Sequence, residues 1–198
     1  HAFAAYQAAK RELLPEYADN TLEACEVHSM SMEFLTAPYR ALFFGDAVKK
    51  YELSHCEDSV IFIPYGCMVD EFQHKMYENP ELSPEQRNEF WLSLEKKYRP
   101  YIDFDGLPFY SRGAGWQRQL HIYMYPLYYI DYCMAQTVAF QFWFASLENR
   151  AAAWQNYLGF VDKAGTETFR DLVKGAGLLL PYEAGTMRKI GEKLSNWI

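Results

Sequence analysis

An all-α fold is predicted for this 198-residue chain, and three observations predict it. Apolar residues recur at helical spacing in segment after segment. Strand-type alternation is absent over any useful length. Proline, asparagine and serine fall where such patterns begin or stop. Half of the chain is apolar and 18% is aromatic, enough for a sizeable core and too much for a disordered chain.

The elements follow in order. Residues 1–13 read as a helix that opens without a capping residue and stops at Pro15. Asp19, Asn20 and Thr21 offer caps for a helix through Glu26 to Phe34. Pro38 opens another, with Tyr39, Leu42, Phe43, Val48 and Tyr51 on one stripe. A long helical region runs from about Asp58 to Tyr77, with Pro64 as a kink or a start and Asn79-Pro80 as its end. Ser83-Pro84-Glu85-Gln86 has the capping-box pattern with proline in the first turn, and predicts a helix to about Tyr98. From Arg99 to Gly115 the pattern dissolves into Pro, Gly and Asp, and loops of that length are usually functional. Beyond Pro126 the chain is helical and apolar on nearly every face, which predicts burial. Three shorter helices, at about 149–163, 166–174 and 185–197, finish it. Repeats and linkers are not evident, so the chain reads as one domain or a piece of one.

Composition excludes several roles. The net charge of −7 comes with no basic stripe, which argues against nucleic acid as a partner. The densest apolar stretch, 123–144, is broken by Pro126, Asp131 and several glutamines, so no membrane span is expected. Four scattered cysteines without CxxC spacing predict reduced thiols and a cytoplasmic protein.

Candidate chemistry gathers in three places. His1 stands at the open edge of a helix, as the second histidine of a metal-binding H-E-x-x-H turn would. Glu26 and Glu33, seven residues apart, share a helix face with Met30. Carboxylates on a partly apolar face need a metal or a hydrogen-bond partner, unless the face is simply solvated. His121 precedes a run of tyrosines in which Tyr128 and Tyr132 fall one helical turn apart. Imidazole N–H and phenol O–H groups suit an oxyanion, although such a cluster can equally be core packing. His28 sits off the Glu26 face, so packing or support of a ligand is expected of it and not ligation. A competing pattern is the pair Glu52-x-x-His55 and Glu71-x-x-His74, the signature of a di-iron carboxylate bundle. A non-catalytic helical scaffold is the third reading.

The blocks "HAFAAYQA", "EACEVHSMSMEFL", "VDEFQHKMYENP" and "RQLHIYMYPLYYIDYCMAQ" resemble the catalytic domain of the oligoendopeptidase F family, zinc metallopeptidases of the thimet-oligopeptidase type. The resemblance runs through essentially the whole chain. It implies a multi-helical, zincin-like domain of which residues 1–198 are the C-terminal portion. It also implies that His1-Ala2 ends an H-E-x-G-H-A helix, with the first zinc histidine and the general-base glutamate upstream of residue 1. On this resemblance zinc is held by His1 and Glu26, and Glu33 partners a ligand histidine. His121, Tyr128 and Tyr132 contact substrate and stabilise the transition state, the division between the tyrosines being open. Gly113-Ala114-Gly115 lies against an extended peptide. Short peptides, admitted to an aromatic cleft, are the implied substrates, and the upstream half of the same protein is the implied partner.

Overall fold

The computed structural model describes residues 1–12, 14–18, 20–163 and 165–195, and every regular element among them is helical. The chain divides into two compact units, one made of His1–Leu53 with Met134–Ile198 and the other of Ser54–Cys133.

In the first unit Ala2–Ala9 packs against Arg150–Asp162, and Leu22–Leu35 contributes Ala24, Val27 and Leu35 to the core. The Ile130–Glu148 helix adds Val138 and Phe142, with Tyr157, Phe160, Leu172 and Leu180 completing the cluster. Phe142 meets Tyr157 and Phe160 edge-on at 5.5 and 5.8 Å, the arrangement aromatic quadrupoles favour. Local signals set the later helices. Asn149 accepts a bond from the Ala152 N–H at 3.1 Å, and Thr168 accepts one from Asp171 at 3.3 Å. Thr186–Ser195 is the last helix, and the expected extension to Trp197 lies outside the described residues.

Two expectations in this unit are corrected. The first helix ends at Ala9, short of the predicted stop (Leu13 and Asp19 lie outside the described residues), and Thr21 occupies the cap position without a side-chain cap bond. The stripe from Pro38 does not form. The chain breaks into Ala37–Tyr39, Ala41–Phe44 and Gly45–Ala47, with Gly45 at φ +49°. That backbone conformation interrupts the helical period, and Leu42 and Phe43 are left about 80% exposed.

The second unit is built on the Val48–Glu78 helix from Ser54 onward and on Pro84–Tyr98. Pro64 sits inside the longer helix without ending it. The capping box forms as predicted: Ser83 Oγ accepts from the Gln86 N–H at 3.3 Å, and Gln86 Oε1 accepts from the Ser83 N–H at 2.9 Å. Met68, Val69 and Phe72 pack with Trp91, Leu94 and Tyr129. Residues 99–115 are irregular apart from the turn Pro108–Ser111 and the start of the tight helix Ala114–Arg118. Gly113 is buried at φ +78°, and a Cβ there would collide with the Asn88 carbonyl oxygen. Close packing on the Pro84–Tyr98 helix therefore explains this glycine, and its buried backbone does not offer an open edge to a peptide.

Candidate active-site residues

In the first unit His1 Nε2 stands 3.6 Å from Glu26 Oε2. Two ligands at ordinary zinc distances in a tetrahedral shell are separated by about 3.3–3.6 Å, so this donor pair fits one metal ion. Its chemistry fits too, a neutral imidazole nitrogen beside a carboxylate oxygen. Ser29, one turn on from Glu26, donates to the same carboxylate oxygen at 3.1 Å and steadies it. Glu33 lies two turns along with its side chain exposed, and its backbone carbonyl accepts from Arg40 at 2.7 Å. Among the described residues no group of three or more His, Cys, Asp or Glu side chains could hold a metal. His1 and Glu26 are thus a pair of donors, without a third such side chain beside them among the described residues.

His28 is buried, as expected, and its Nε2 is an unpartnered polar atom. Its Nδ1 lies 3.4 Å from the Tyr157 hydroxyl. Burial is the main reason its pKa is pushed down to about 4. The ring lines an apolar cavity of about 270 Å³ with Phe3, Met32, Trp154 and Tyr157.

In the second unit His121 opens the short helix His121–Met124, where the sequence pattern gave only a lead-in segment. Four tyrosine rings surround it: Tyr129 at 5.0 Å, Tyr132 at 5.7 Å, and Tyr125 and Tyr128 each at 6.4 Å between ring centres. The Tyr132 hydroxyl is 3.5 Å from His121 Nε2. Tyr128 and Tyr132 do not share a helix, because the next one starts at Ile130. Their rings still meet at 5.0 Å, since a turn at Pro126-Leu127 brings Tyr128 round. In that turn the Tyr128 N–H donates to the Tyr125 carbonyl at 3.3 Å and Leu127 sits at φ +61°. Proline followed by a positive φ is the type II pattern, which normally carries glycine at the second place. Buried Gln73 stabilises it by accepting the Leu127 N–H at 2.9 Å. Burial holds the Tyr129 phenol well above its ordinary range.

Sequence reading missed four supporting residues: Ser29, Tyr65, Gln73 and Gln119. The only available signal was polarity inside an apolar stripe, as with Gln73 beside Val69, Phe72 and Met76. Tyr65 also walls a cavity of about 460 Å³ with Phe62, Trp91, Arg99, Phe104 and Arg118.

The di-iron pattern is excluded by geometry. Both Glu-x-x-His motifs lie on the single helix Val48–Glu78, nineteen residues or about 28 Å apart along its axis. Their members are engaged elsewhere: Glu52 with Arg40 at 3.6 Å, Glu71 with Lys97 at 2.7 Å, and His74 with Asp70 at 3.4 Å. Among the described residues no helix is long and apolar enough to cross a membrane.

No protein-family model matches the chain, and no curated protein does either. Solved structures do. One assigned as an oligoendopeptidase F is 46% identical, over 100% of this chain and 35% of its own, with a TM-score of 0.95. Pz peptidase A, solved with an inhibitor, is 45% identical over 99% of this chain and 35% of its own, at a TM-score of 0.93. A protein assigned as an oligoendopeptidase F from Bacillus anthracis str. Ames is 40% identical over 100% of this chain and 32% of its own, at 0.83. The chain therefore spans about a third of the length of these structures. With this identity sustained along its whole length, and with the same all-α fold, the chain belongs to the oligoendopeptidase F family.

Proposed function

We propose that this chain supplies part of the active site of a zinc-dependent endopeptidase that hydrolyses short peptides. The observation that carries the reading is the approach of His1 Nε2 to Glu26 Oε2, two donors of zinc type at 3.6 Å. The family membership supports it.

In this reading His1 and Glu26 hold the metal, and Ser29 keeps the Glu26 carboxylate oriented. Glu33 partners a ligand histidine. The remaining ligand and the general-base glutamate belong to the part of the family's length that this chain does not span. Bound zinc would polarise the scissile carbonyl and bring the pKa of a water toward neutrality. His121, Tyr128 and Tyr132 donate hydrogen bonds to the negative charge that develops on the carbonyl oxygen. The aromatic-walled cavity beside Tyr65 receives a peptide side chain.

The test uses the protein that carries this chain together with the missing ligand and base. Zinc content and hydrolysis of a short quenched-fluorescence peptide are measured for the parent, for Glu26→Gln and for His121→Phe. Glu26→Gln should lose both zinc and activity, whereas His121→Phe should keep zinc and lose turnover. Full zinc occupancy and activity in Glu26→Gln would end the proposal.

A further inference from the structure

Three side chains of the second unit form a hydrogen-bonded series that ends on His121 and begins with two residues, Tyr65 and Gln119, to which the family reading gives no role. The Tyr65 hydroxyl lies 2.6 Å from Gln119 Oε1, and Gln119 Nε2 lies 2.7 Å from His121 Nδ1. Tyr65 comes from the Val48–Glu78 helix, and Gln119 lies two residues before His121.

The amide of Gln119 gives this series a direction. Its carbonyl oxygen faces Tyr65 at 2.6 Å, an ordinary O–H···O separation in which the phenol donates. Burial raises the Tyr65 pKa, outweighing the lowering effect of Arg118 and Arg99, so the phenol keeps the proton it gives. The amide then has only N–H to offer on its other side. An N–H donor demands a lone pair at His121 Nδ1, and in a neutral imidazole the proton must then sit on Nε2.

We infer that Gln119, anchored by Tyr65, is a positioning residue that holds His121 in its Nε2–H tautomer, making this histidine a hydrogen-bond donor and not a base. The statement about His121's role rests on the proposed peptidase reading; the tautomer stands without it. Nε2 faces the Tyr132 oxygen at 3.5 Å, a contact long enough to be exchanged for a better acceptor. The other groups facing the ring are Tyr125, Tyr128 and Tyr129. An amide N–H on Nδ1 selects the Nε2–H tautomer, where a carboxylate there would accept from Nδ1–H and reverse it.

The experiment is long-range 1H–15N NMR of the histidine-labelled chain at about pH 8, above the ordinary imidazole range. His121 is assigned by comparison with His121→Gln. In the parent, His121 Nδ1 should resonate as a bare nitrogen and Nε2 as a protonated one. Gln119→Glu, nearly the same shape but only an acceptor, should invert this pattern. Gln119→Met should give a mixture of tautomers, as should Tyr65→Phe. A protonated Nδ1 in the parent would overturn the inference. So would an unchanged Nε2–H tautomer in both Gln119 variants. In the complete zinc-loaded peptidase, Gln119→Glu should lower kcat more than it changes KM, with activity recovering toward acid pH as the imidazolium forms. An absence of peptidase activity in the parent would sink the proposed function while leaving the NMR result intact.

Discussion

Leu127 holds a left-handed backbone, φ +61°, with its N–H bonded at 2.9 Å to the side chain of Gln73, a residue fifty-four positions earlier. This relationship shapes the turn that sets the Tyr128 ring against Tyr132. A branched side chain in the left-handed region costs about 1–2 kcal/mol, so the buried amide of Gln73 sustains a conformation that Leu127 would otherwise leave.

Gln73→Leu should destabilise the chain by about 1–3 kcal/mol, because the Leu127 N–H loses its acceptor. Leu127→Gly should act the other way, with relief of the left-handed strain only partly offset by glycine's extra freedom in the unfolded chain, for a net gain of about 0.5–1 kcal/mol. Urea midpoints of the two variants check both signs, and a destabilised Leu127→Gly would refute the strain account.

Ser29→Ala removes the hydroxyl that donates to Glu26. In the zinc-loaded peptidase, affinity for zinc should fall by about 10–100-fold, the usual effect of losing a partner behind a ligand. Competition with a chelator of known zinc affinity reads this directly. An unchanged affinity would mean that Glu26 is oriented by something else.

His121→Phe and Tyr132→Phe each remove a proposed donor to the developing oxyanion. Each should lower kcat by about 10²–10³-fold with a smaller change in KM, since such donors act mainly in the transition state. Steady-state kinetics on one short peptide distinguish this from lost binding, in which KM would rise at constant kcat.

The Glu71 carboxyl is held below the ordinary carboxylate range by hydrogen bonds from Lys97 and Tyr98. A carboxylate whose folded pKa is depressed binds fewer protons in the native state than in the unfolded one. Its stabilisation is therefore present above the unfolded value, near about 4.3, and is lost as the pH falls through the folded one. Glu71 is partly exposed, so the effect should stay below about 1 kcal/mol. Glu71→Gln should flatten the acid limb of stability between about pH 5 and 3; an equally steep limb in that variant would assign the acid loss to other carboxylates.

Legibility in the sequence followed the range of the interactions. Ser83 and Gln86 announced their helix because all four partners of a capping box lie within one turn. The all-α class was equally readable, since helical periodicity repeats at three to four residues. His1, Glu26 and His121 were legible as candidates because the blocks around them match a known family, although residue types alone left solvated-face and core readings open. Pro38 to Tyr51 was misread, as one glycine at φ +49° breaks a period that hydrophobicity alone continues. The long-range supports of the candidate site left no more trace than a polar residue inside an apolar stripe, and their partners left none. Tyr65 reaches Gln119 across fifty-four residues, and Gln73 reaches Leu127 across the same span. A glutamine amide carries no period and no preferred partner in sequence. Composition and periodicity determined by themselves that this chain is helical and where several helices start. Only the packing of distant segments decided which amide meets which imidazole, because buried hydrogen-bonding groups take whatever partner the fold brings within about 3 Å.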